Sequence, residues 1–298
     1  MAAAGPDGVL LVDKPAGVTS TRVLGMSKRA LASLKAGHTG TLDPFATGLL
    51  PLVFGEATKF SRFLIDSDKT YLATLRLGAT SSTGDTEGVV SPGGPVPTSL
   101  SEIGAVSREM VGVSMQIPPM HSAVRVQGRR LYDLARQGVE VEREARTIRV
   151  DFFEIVEFSG EKLVISLKCS KGTYVRTLAE SLGERLGCGA YLTDLRRTET
   201  GGFRIEDAAT PEALMEMGME SARARLLPVE VLVRTLPRTD LAGPEAWAIR
   251  NGQELPAADG WEQGERALFG PGGAFIGVGK VEGGRLAAAR LMATGISG

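Results

Sequence analysis

Two spacings of apolar residues recur along this chain, one typical of strands and one typical of helices. The strand spacing places an apolar residue at every second position, and it occurs over 71–77 and again over 163–169. This period of two predicts β-strands with one buried face. A short apolar run over residues 9–13 predicts a further buried strand, which ends in a turn at residues 14–17.

The helical spacing follows Ser20, which we expect to cap a helix carrying Val23, Leu24, Ala30, Leu31 and Leu34. A second helix is predicted through Leu178, Ala179, Leu182 and Leu186, ending at Gly187. Thr210 and Pro211 match an N-cap followed by proline at the first helical position. Short strands mixed with helices predict a mixed α/β fold.

Beyond residue 228 the pattern changes to short apolar runs interrupted by glycines, which is typical of a small β-rich barrel or sandwich. A length of 298 residues also favours about two domains of ~150 residues each. We therefore predict a larger domain over 1–230 and a smaller one over 231–298.

The composition excludes several classes of protein. With two cysteines, Cys169 and Cys188, two histidines, His38 and His121, and no acidic cluster, the chain is expected to have neither a structural zinc site nor a disulfide framework. We expect no metal and reduced thiols. The apolar run near the N-terminus is too short for a signal peptide or a membrane span, so a cytoplasmic protein without membrane contact is expected.

Charge is unevenly distributed along the chain. The net charge is −1, which by itself disfavours nucleic-acid binding. However, residues 121–150 hold seven arginines against four acidic residues, and residues 162–204 hold eight basic residues against four acidic ones. These stretches suit either a polyanionic partner or solvated helix faces, which are the commoner cause of such runs.

The segment richest in candidate chemistry is the glycine-flanked loop 37–48, which carries Asp43 next to Pro44. The proline stiffens the chain there, so we expect Asp43 on a fixed loop rather than on a helix. An Asx turn would explain an isolated Asp-Pro pair, whereas a carboxylate nucleophile would explain the surrounding polar residues. The loop lacks the Gly-Lys-Ser/Thr of a P-loop, and no second acid accompanies Asp43 as a metal-dependent phosphatase or hydrolase would require.

Loop 37–48 resembles the catalytic loop of the bacterial tRNA pseudouridine synthase B family. Similar motifs recur in the family's order and spacing at residues 13–20, 69–71, 77–78, 82–88, 117–123, 128–132, 169–178 and 195–198. The resemblance extends over about residues 8–230, and the last ~65 residues resemble a PUA-like RNA-binding module more loosely. It implies a pseudouridine synthase fold with a largely antiparallel sheet and flanking helices, followed by a β-rich PUA-like domain.

The resemblance also implies an activity: isomerisation of uridine 55 in the TΨC arm of tRNA to pseudouridine, without metal or organic cofactor. We expect the protein to be a monomer. Asp43 would be the nucleophile, and attack at C1′ of the ribose or at C6 of the base both remain open. A non-catalytic RNA chaperone and a guide-RNA-dependent relative are the rival functions. The family's catalytic residues at the matching positions disfavour the first, and the bacterial-type insertion disfavours the second.

Five residues are implied to surround the target base. Tyr71, by itself a core aromatic of a strand, would stack on the uracil. Tyr174 and Arg176 lie two positions apart in a stretch that we predict to be extended, so both would point to one face. Arg176 would pair with Asp43 and lower its pKa. Leu195 would form the apolar wall, and His38, otherwise a surface or capping residue, would fill the space of the extruded uridine.

Other residues are implied to grip RNA or support the loop. An insertion over residues 119–147 would close on the T-arm, with arginines on backbone phosphates; the phosphate candidates are Arg125, Arg129, Arg130, Arg136, Arg196 and Arg197. His121 and Tyr132 would be available for stacking. Lys14 and Pro15 would support the catalytic loop, and Asp85 is either a turn residue or a neighbour of the active site.

Overall fold

A large, mostly antiparallel sheet carries the first part of the chain. The computed structural model describes residues 5–122, 125–126, 129–130, 137–139 and 141–293, and within them nine strands form this sheet. Seven strands follow one another in the order β1-β3-β12-β4-β11-β10-β7, while β2 pairs with β3 and β13 with β12. Their bounds are β1 Gly8–Lys14, β2 Ala36–His38, β3 Thr47–Phe54, β4 Lys69–Leu77, β7 Gly112–Gln116, β10 Arg146–Ser159, β11 Lys162–Cys169, β12 Ala190–Thr200 and β13 Phe203–Arg204.

Two small hairpins and the helices complete this region. The hairpins are formed by β5 Ala79–Ser81 with β6 Val90–Pro92, and by β8 Arg125–Val126 with β9 Arg129–Arg130. The helices are α1 Ser20–Ala30, α2 Arg62–Ile65, α3 Leu100–Glu109, α4 Val175–Arg185, α5 Pro211–Glu216 and α6 Met219–Ala224. None of the helices in the described ranges is both long and apolar enough to cross a membrane.

A second sheet follows with the order β14-β16-β17-β18-β15. Its strands are β14 Arg238–Asp240, β15 Leu255–Pro256, β16 Gly264–Phe269, β17 Phe275–Glu282 and β18 Arg285–Leu291, and they are accompanied by α7 Gly243–Arg250. The mixed α/β fold with a small β-rich C-terminal part is therefore confirmed. One hydrophobic cluster joins both parts, since Val9 and Phe203 belong to it together with Phe269 and Val278.

The predicted secondary structure is mostly found, but α1 differs at both ends: it stops at Ala30, with Leu31 as its C-cap and Leu34 outside it. Strands β1, β4 and β11 cover the predicted segments, and β4 alternates between buried and more exposed residues along its whole length. Helix α5 begins after Thr210 with Pro211 at its first position, as expected. The cap of α1, however, is Thr19, whose side chain accepts from the backbone N–H of Arg22, and not Ser20.

Loop 37–48, which carries Asp43, is placed by a parallel strand pair in the sheet. Strands β3 and β12 pair in parallel, Thr47 with Arg196 and Gly48 with Arg197, whereas the neighbouring pairs of this sheet are antiparallel. Gly48 has a φ of 104°, and a Cβ there would lie 2.3 Å from the carbonyl oxygen of Arg197. Glycine is therefore required for the two backbones to approach, and this approach brings the loop beside β12 and β4.

Candidate active site

The loop that carries Asp43 runs from the end of β2 to the start of β3 and is held from two sides. Ser20 Oγ donates to the carbonyl oxygen of Leu42 at 3.0 Å and accepts from the Leu42 N–H at 2.9 Å. Lys14 Nζ, which is fully buried, donates to the carbonyl oxygens of Pro15 at 2.9 Å and Pro44 at 3.2 Å. Asp43 therefore lies on a rigid loop, as predicted, and Lys14 directly supports it.

The Asp43 carboxylate is bound by an arginine from a distant helix. Arg176 Nη2 lies 3.0 Å from Asp43 Oδ2, and Arg176 Nη1 lies 3.3 Å from Oδ2 of Asp85. The same guanidinium donates to the carbonyl oxygens of His121 at 2.7 Å and Thr83 at 3.0 Å. The predicted contact between Arg176 and Asp43 is confirmed. Asp85 is a buried neighbour of the site, and its Oδ1 also accepts from the Glu87 N–H at 3.0 Å, so it is a turn residue as well.

Burial and the neighbouring cations act on the pKa of Asp43 in opposite directions. Burial raises the pKa of the Asp43 carboxyl above its usual value, and Asp85 acts in the same direction. Arg176 and Lys14 oppose the rise but do not reverse it. Arg176 thus acts on the pKa of Asp43 in the predicted direction, but the net pKa is raised because the loss of solvation outweighs the attraction. The Asp43 side chain remains 36% exposed, so a substrate can reach it.

Tyr174 and Arg176 do not share an extended strand. Tyr174 is the N-cap of α4, and Arg176 lies in the first turn of that helix, so the predicted strand geometry is wrong. The backbone of Tyr174 is bound by the side-chain amide of Gln116, which accepts from its N–H at 2.8 Å and donates to its carbonyl oxygen at 3.1 Å. Sequence reasoning missed Gln116, because nothing in the chain near residue 116 indicates a partner 58 positions away.

Tyr71 and Leu195 come from the adjacent strands β4 and β12, and both are largely buried. Burial raises the pKa of the Tyr71 hydroxyl, which is hydrogen-bonded to Arg197. Arg197 is only 1% exposed, and it donates to the carbonyl oxygens of Leu49 at 2.7 Å and Gly40 at 3.1 Å. Arg197 is thus too buried for the predicted phosphate contact. Instead, its hydrogen bonds connect β12 to the loop and to Tyr71.

These side chains line one cleft of about 530 Å³. Its wall holds a carboxylate, an arginine, two phenols and an apolar side chain, namely Asp43, Arg176, Tyr71, Tyr174 and Leu195. Aromatic and apolar groups suit the faces of a flat ring, and the carboxylate suits nucleophilic attack or charge stabilisation. The cleft therefore has the groups needed to hold a heterocyclic base against an aspartate.

Lys69 is a further buried cation of this cleft, and sequence reasoning did not single it out. Its Nζ donates to the carbonyl oxygens of Ile65 at 2.6 Å and Leu64 at 3.3 Å, at the end of α2, and to that of Ser67. Burial lowers the pKa of Lys69 to about 8, and Arg197 adds to the effect.

His38 lies apart from this group. It ends β2 opposite Leu52 and lies outside the cleft wall that the described residues form. Its Nδ1 is buried and has no hydrogen-bond partner among the described residues. Burial lowers the pKa of His38, and the charge of Arg197 lowers it further. Its predicted contact with the space left by an extruded uridine stays a prediction.

The two basic stretches differ in how much the structure says about them. Arg125, Arg129 and Arg130 contribute backbone to the β8–β9 hairpin, while their side chains, and Arg136 and Tyr132 entirely, lie outside the described residues. In the second stretch, several cations already have acidic partners: Lys162 with Glu157, Lys171 with Asp66, Arg185 with Glu109 and Arg196 with Asp13. Ion pairing therefore offsets much of the positive charge counted over 162–204.

No group of three histidine, cysteine, aspartate or glutamate side chains that could hold a metal ion occurs in the described part of the chain.

Three family models match consecutive parts of the chain. Residues 28–175 match the N-terminal domain of the TruB family pseudouridylate synthases. Residues 176–234 match the tRNA pseudouridylate synthase B C-terminal domain, and residues 237–292 match the C-terminal model of pseudouridine synthase II TruB. The matches include Asp43 and Tyr71 in the first segment and Arg176 and Leu195 in the second.

Individual proteins similar to this chain point to the same family. The chain is 48% identical over 289 residues to tRNA pseudouridine synthase B of Azoarcus sp. (strain BH72), covering 97% of this chain and 95% of the relative. It is 47% identical to the protein of that name from Thiobacillus denitrificans (strain ATCC 25259 / T1), covering 97% and 96%.

Two solved structures share the fold. One is from a Cbf5-Nop10-Gar1 complex, at 28% identity and a TM-score of 0.70, covering 92% of this chain and 78% of that one. The other is from an H/ACA RNP bound to a substrate RNA containing 2′-deoxyuridine, at 26% identity and a TM-score of 0.72, covering 95% and 84%. With 47–48% identity to two tRNA pseudouridine synthases B over 97% of its length, the chain belongs to the TruB family of pseudouridine synthases.

Proposed function

We propose that this protein isomerises uridine 55 in the TΨC arm of tRNA to pseudouridine, with Asp43 as the nucleophile. As a TruB family member it is a pseudouridine synthase, an isomerase. The relatives at 47–48% identity are named as tRNA enzymes, whereas the H/ACA particle is matched at 26%. This difference favours tRNA over a guide-RNA-directed substrate. We further propose that the protein acts as a monomer.

One observation supports the role of Asp43 above the others. Its carboxylate is 36% exposed in a cleft, while its arginine partner is only 4% exposed. A buried cation cannot itself leave its place to bind RNA, but it can hold an exposed carboxylate in one orientation. A carboxylate fixed in this way supplies the positioning that a nucleophile needs.

The reaction changes bonds without changing composition. The bond between N1 and C1′ breaks, the uracil turns, a bond forms between C5 and C1′, the proton leaves C5, and N1 gains a proton. Asp43 forms a temporary bond to C1′ or to C6 and leaves at the end, so neither a redox partner nor a metal is required for atom balance. The apolar wall at Leu195 and the ring of Tyr71 support the base while it is detached.

Access to N1 and C1′ requires the uridine to leave its stack, as for other enzymes that act on a base. The cleft of about 530 Å³ has room for one nucleotide beside Asp43. In our proposal the uridine enters the cleft, Tyr71 stacks on it, and His38 occupies the space that it leaves in the T-arm. The arginines of the insertion 119–147 then hold the surrounding phosphates.

Release of tritium from C5 tests this function. A T-arm hairpin labelled with tritium at C5 of uridine 55 should lose its label with the wild-type enzyme, and a hairpin labelled at another uridine should not. Asp43→Asn removes the nucleophile but preserves the shape, so turnover should vanish while RNA affinity stays within about 3-fold of wild type. Asp240→Asn, an exposed aspartate of the second sheet, is the matched control and should remain active.

Two outcomes would contradict the proposal. Substantial pseudouridine formation by purified Asp43→Asn would exclude the assigned nucleophile. Label release from a uridine other than 55, with the label at 55 retained, would exclude the assigned position.

A further inference from the structure

Gln116 is a buried polar residue that none of the steps above uses. It ends β7, directly before the segment that leads into the insertion 119–147, and its side chain is 6% exposed. Its amide pairs with both backbone groups of Tyr174, at 2.8 Å and 3.1 Å. A side-chain amide that both donates to and accepts from one residue fixes the direction of that backbone as a neighbouring strand would.

This pairing lies at the start of α4. The N-cap residue of this helix, Tyr174, makes no side-chain cap bond of its own. The first turn of a helix is otherwise weakly held, because its N–H groups have no partner within the helix. Gln116 therefore supplies, from a distant strand, a constraint that the local sequence of α4 lacks.

A second contact joins the same two segments. Arg176 Nη2, two residues beyond Tyr174, donates to the carbonyl oxygen of His121 at 2.7 Å and lies 3.0 Å from Asp43 Oδ2. Segment 116–121 thus contacts segment 174–176 at both of its ends. The position of the Arg176 nitrogen that contacts Asp43 therefore depends on the backbone conformation of both segments.

We propose that Gln116 is a positioning residue, whose amide fixes the Tyr174 backbone so that the Arg176 guanidinium stays on the Asp43 carboxylate. Gln116 is not among the described residues that line the cleft, and it acts through Tyr174, which is one of them. The inference rests on the proposed function of Asp43 as nucleophile. It adds a residue of β7 to the groups on which catalysis depends.

The charged groups around Asp43 give this role a measurable consequence. Arg176 from α4 and Lys14 from β1 lower the pKa of Asp43, and Asp85, from the loop after β5, raises it. Displacing Arg176 would remove the largest effect of a neighbouring charge on the pKa of Asp43. The pKa of Asp43 would then rise further, and the acid limb of kcat would move to higher pH.

Gln116→Ala tests the proposal in the full-length protein by tritium release from the labelled T-arm hairpin. We expect kcat to fall by about 10-fold or more with KM within about 3-fold, and the acid limb to rise by about one pH unit. Gln116→Glu keeps an acceptor for the Tyr174 N–H, but when ionised it cannot donate to the Tyr174 carbonyl, so kcat should be intermediate. Ser114→Ala, at an exposed position of the same strand, is the control and should match wild type.

The outcomes separate this inference from the proposed function. Suppose that Asp43→Asn is inactive, while Gln116→Ala has a kcat within about 2-fold of wild type and an acid limb within a few tenths of a pH unit. That result would overturn the role of Gln116 alone. An active Asp43→Asn would overturn the function of Asp43 itself. If Gln116→Ala does not fold, Gln116→Glu decides: wild-type kcat and pH profile would overturn the proposal.

Discussion

The Ser20 hydroxyl binds both backbone polar groups of Leu42: it donates to the carbonyl oxygen at 3.0 Å and accepts from the N–H at 2.9 Å. Leu42 directly precedes Asp43, so this pair of bonds sets the direction in which the carboxylate leaves the loop. The sequence pattern assigned Ser20 to capping α1. Its neighbour Thr19 performs the capping, which leaves the Ser20 hydroxyl available for the loop.

Replacing Ser20 by alanine should therefore affect catalysis as well as stability. Loss of two buried hydrogen bonds costs about 1–3 kcal/mol of unfolding free energy, and the loosened loop should lower kcat. Thr19→Ala is the matched control, since loss of a cap costs about 1 kcal/mol without touching the loop. Thermal unfolding and tritium release measured on both variants check this. Equal kcat values for the two variants would show that Ser20 does not orient Asp43.

The acid side of the pH profile should report the environment of Asp43. Because burial raises the pKa of Asp43 and the nucleophile must be ionised, kcat should begin to fall at a pH above the 3.8 of an ordinary aspartate. Asp85→Asn removes a nearby negative charge but keeps an oxygen acceptor for Thr83 and Glu87. The acid limb of this variant should move to lower pH. Movement to higher pH would contradict the placement of these charges.

Lys69 should make stability depend on pH. Its pKa is about 8 in the folded protein against 10.5 for an ordinary lysine, so the unfolded state binds more protons between these values. Stability from this group therefore increases as pH rises through 8. Relative to Lys69→Met, the wild type should gain about 1 kcal/mol of unfolding free energy between pH 7 and pH 9.

Denaturant unfolding at the two pH values measures this difference. Lys162→Met, at an exposed ion pair with Glu157, is the control and should show no such gain. If the gain in unfolding free energy of wild type over Lys69→Met is no larger than its gain over Lys162→Met, Lys69 titrates normally.

Activity on a short T-arm hairpin should survive excess EDTA. In the described part of the chain, no three histidine, cysteine, aspartate or glutamate side chains come together as a metal site, and the proposed reaction needs a carboxylate alone. Tritium release with EDTA and with added magnesium should give the same kcat. Activity that is lost in EDTA and restored by one particular metal would contradict the mechanism.

Arg129 and Arg130 should contribute affinity rather than rate. If both contact phosphates, changing them together to alanine should weaken RNA binding mainly at low salt. Each lost contact should reduce the slope of log K against log salt by roughly 0.7–0.9. The kcat at saturating RNA should change much less, because the proposed chemistry takes place at Asp43.

Hairpin titrations at several salt concentrations measure the affinity and its slope. The matched control is Arg76→Ala with Arg185→Ala, two exposed, ion-paired arginines at the ends of β4 and α4 away from Tyr71 and Arg176. An unchanged slope and affinity in the double variant of Arg129 and Arg130 would remove the insertion from the RNA-binding surface.

Local features of the sequence were sufficient to predict several elements. The alternation over 71–77 determines β4, because a strand exposes successive side chains to opposite faces. Proline at 211 after Thr210 determines the start of α5 in the same local way. The glycines and the proline around Asp43 likewise predict a loop from neighbouring residues alone. The family resemblance then identifies Arg176 as the partner of Asp43.

The tertiary structure decided what the polar side chains do once the chain is folded. Arg197 looks like a phosphate ligand in a basic stretch, but β12 pairs in parallel with β3. The Arg197 side chain is therefore buried, where it donates to the carbonyl oxygens of Leu49 and Gly40. Gln116 carries no local signal, and the meeting of β7 with the start of α4 gives it its two bonds to Tyr174. Periodicity and turn chemistry depend on residues a few positions apart, whereas burial and the net pKa of Asp43 depend on groups that only the folded topology brings together.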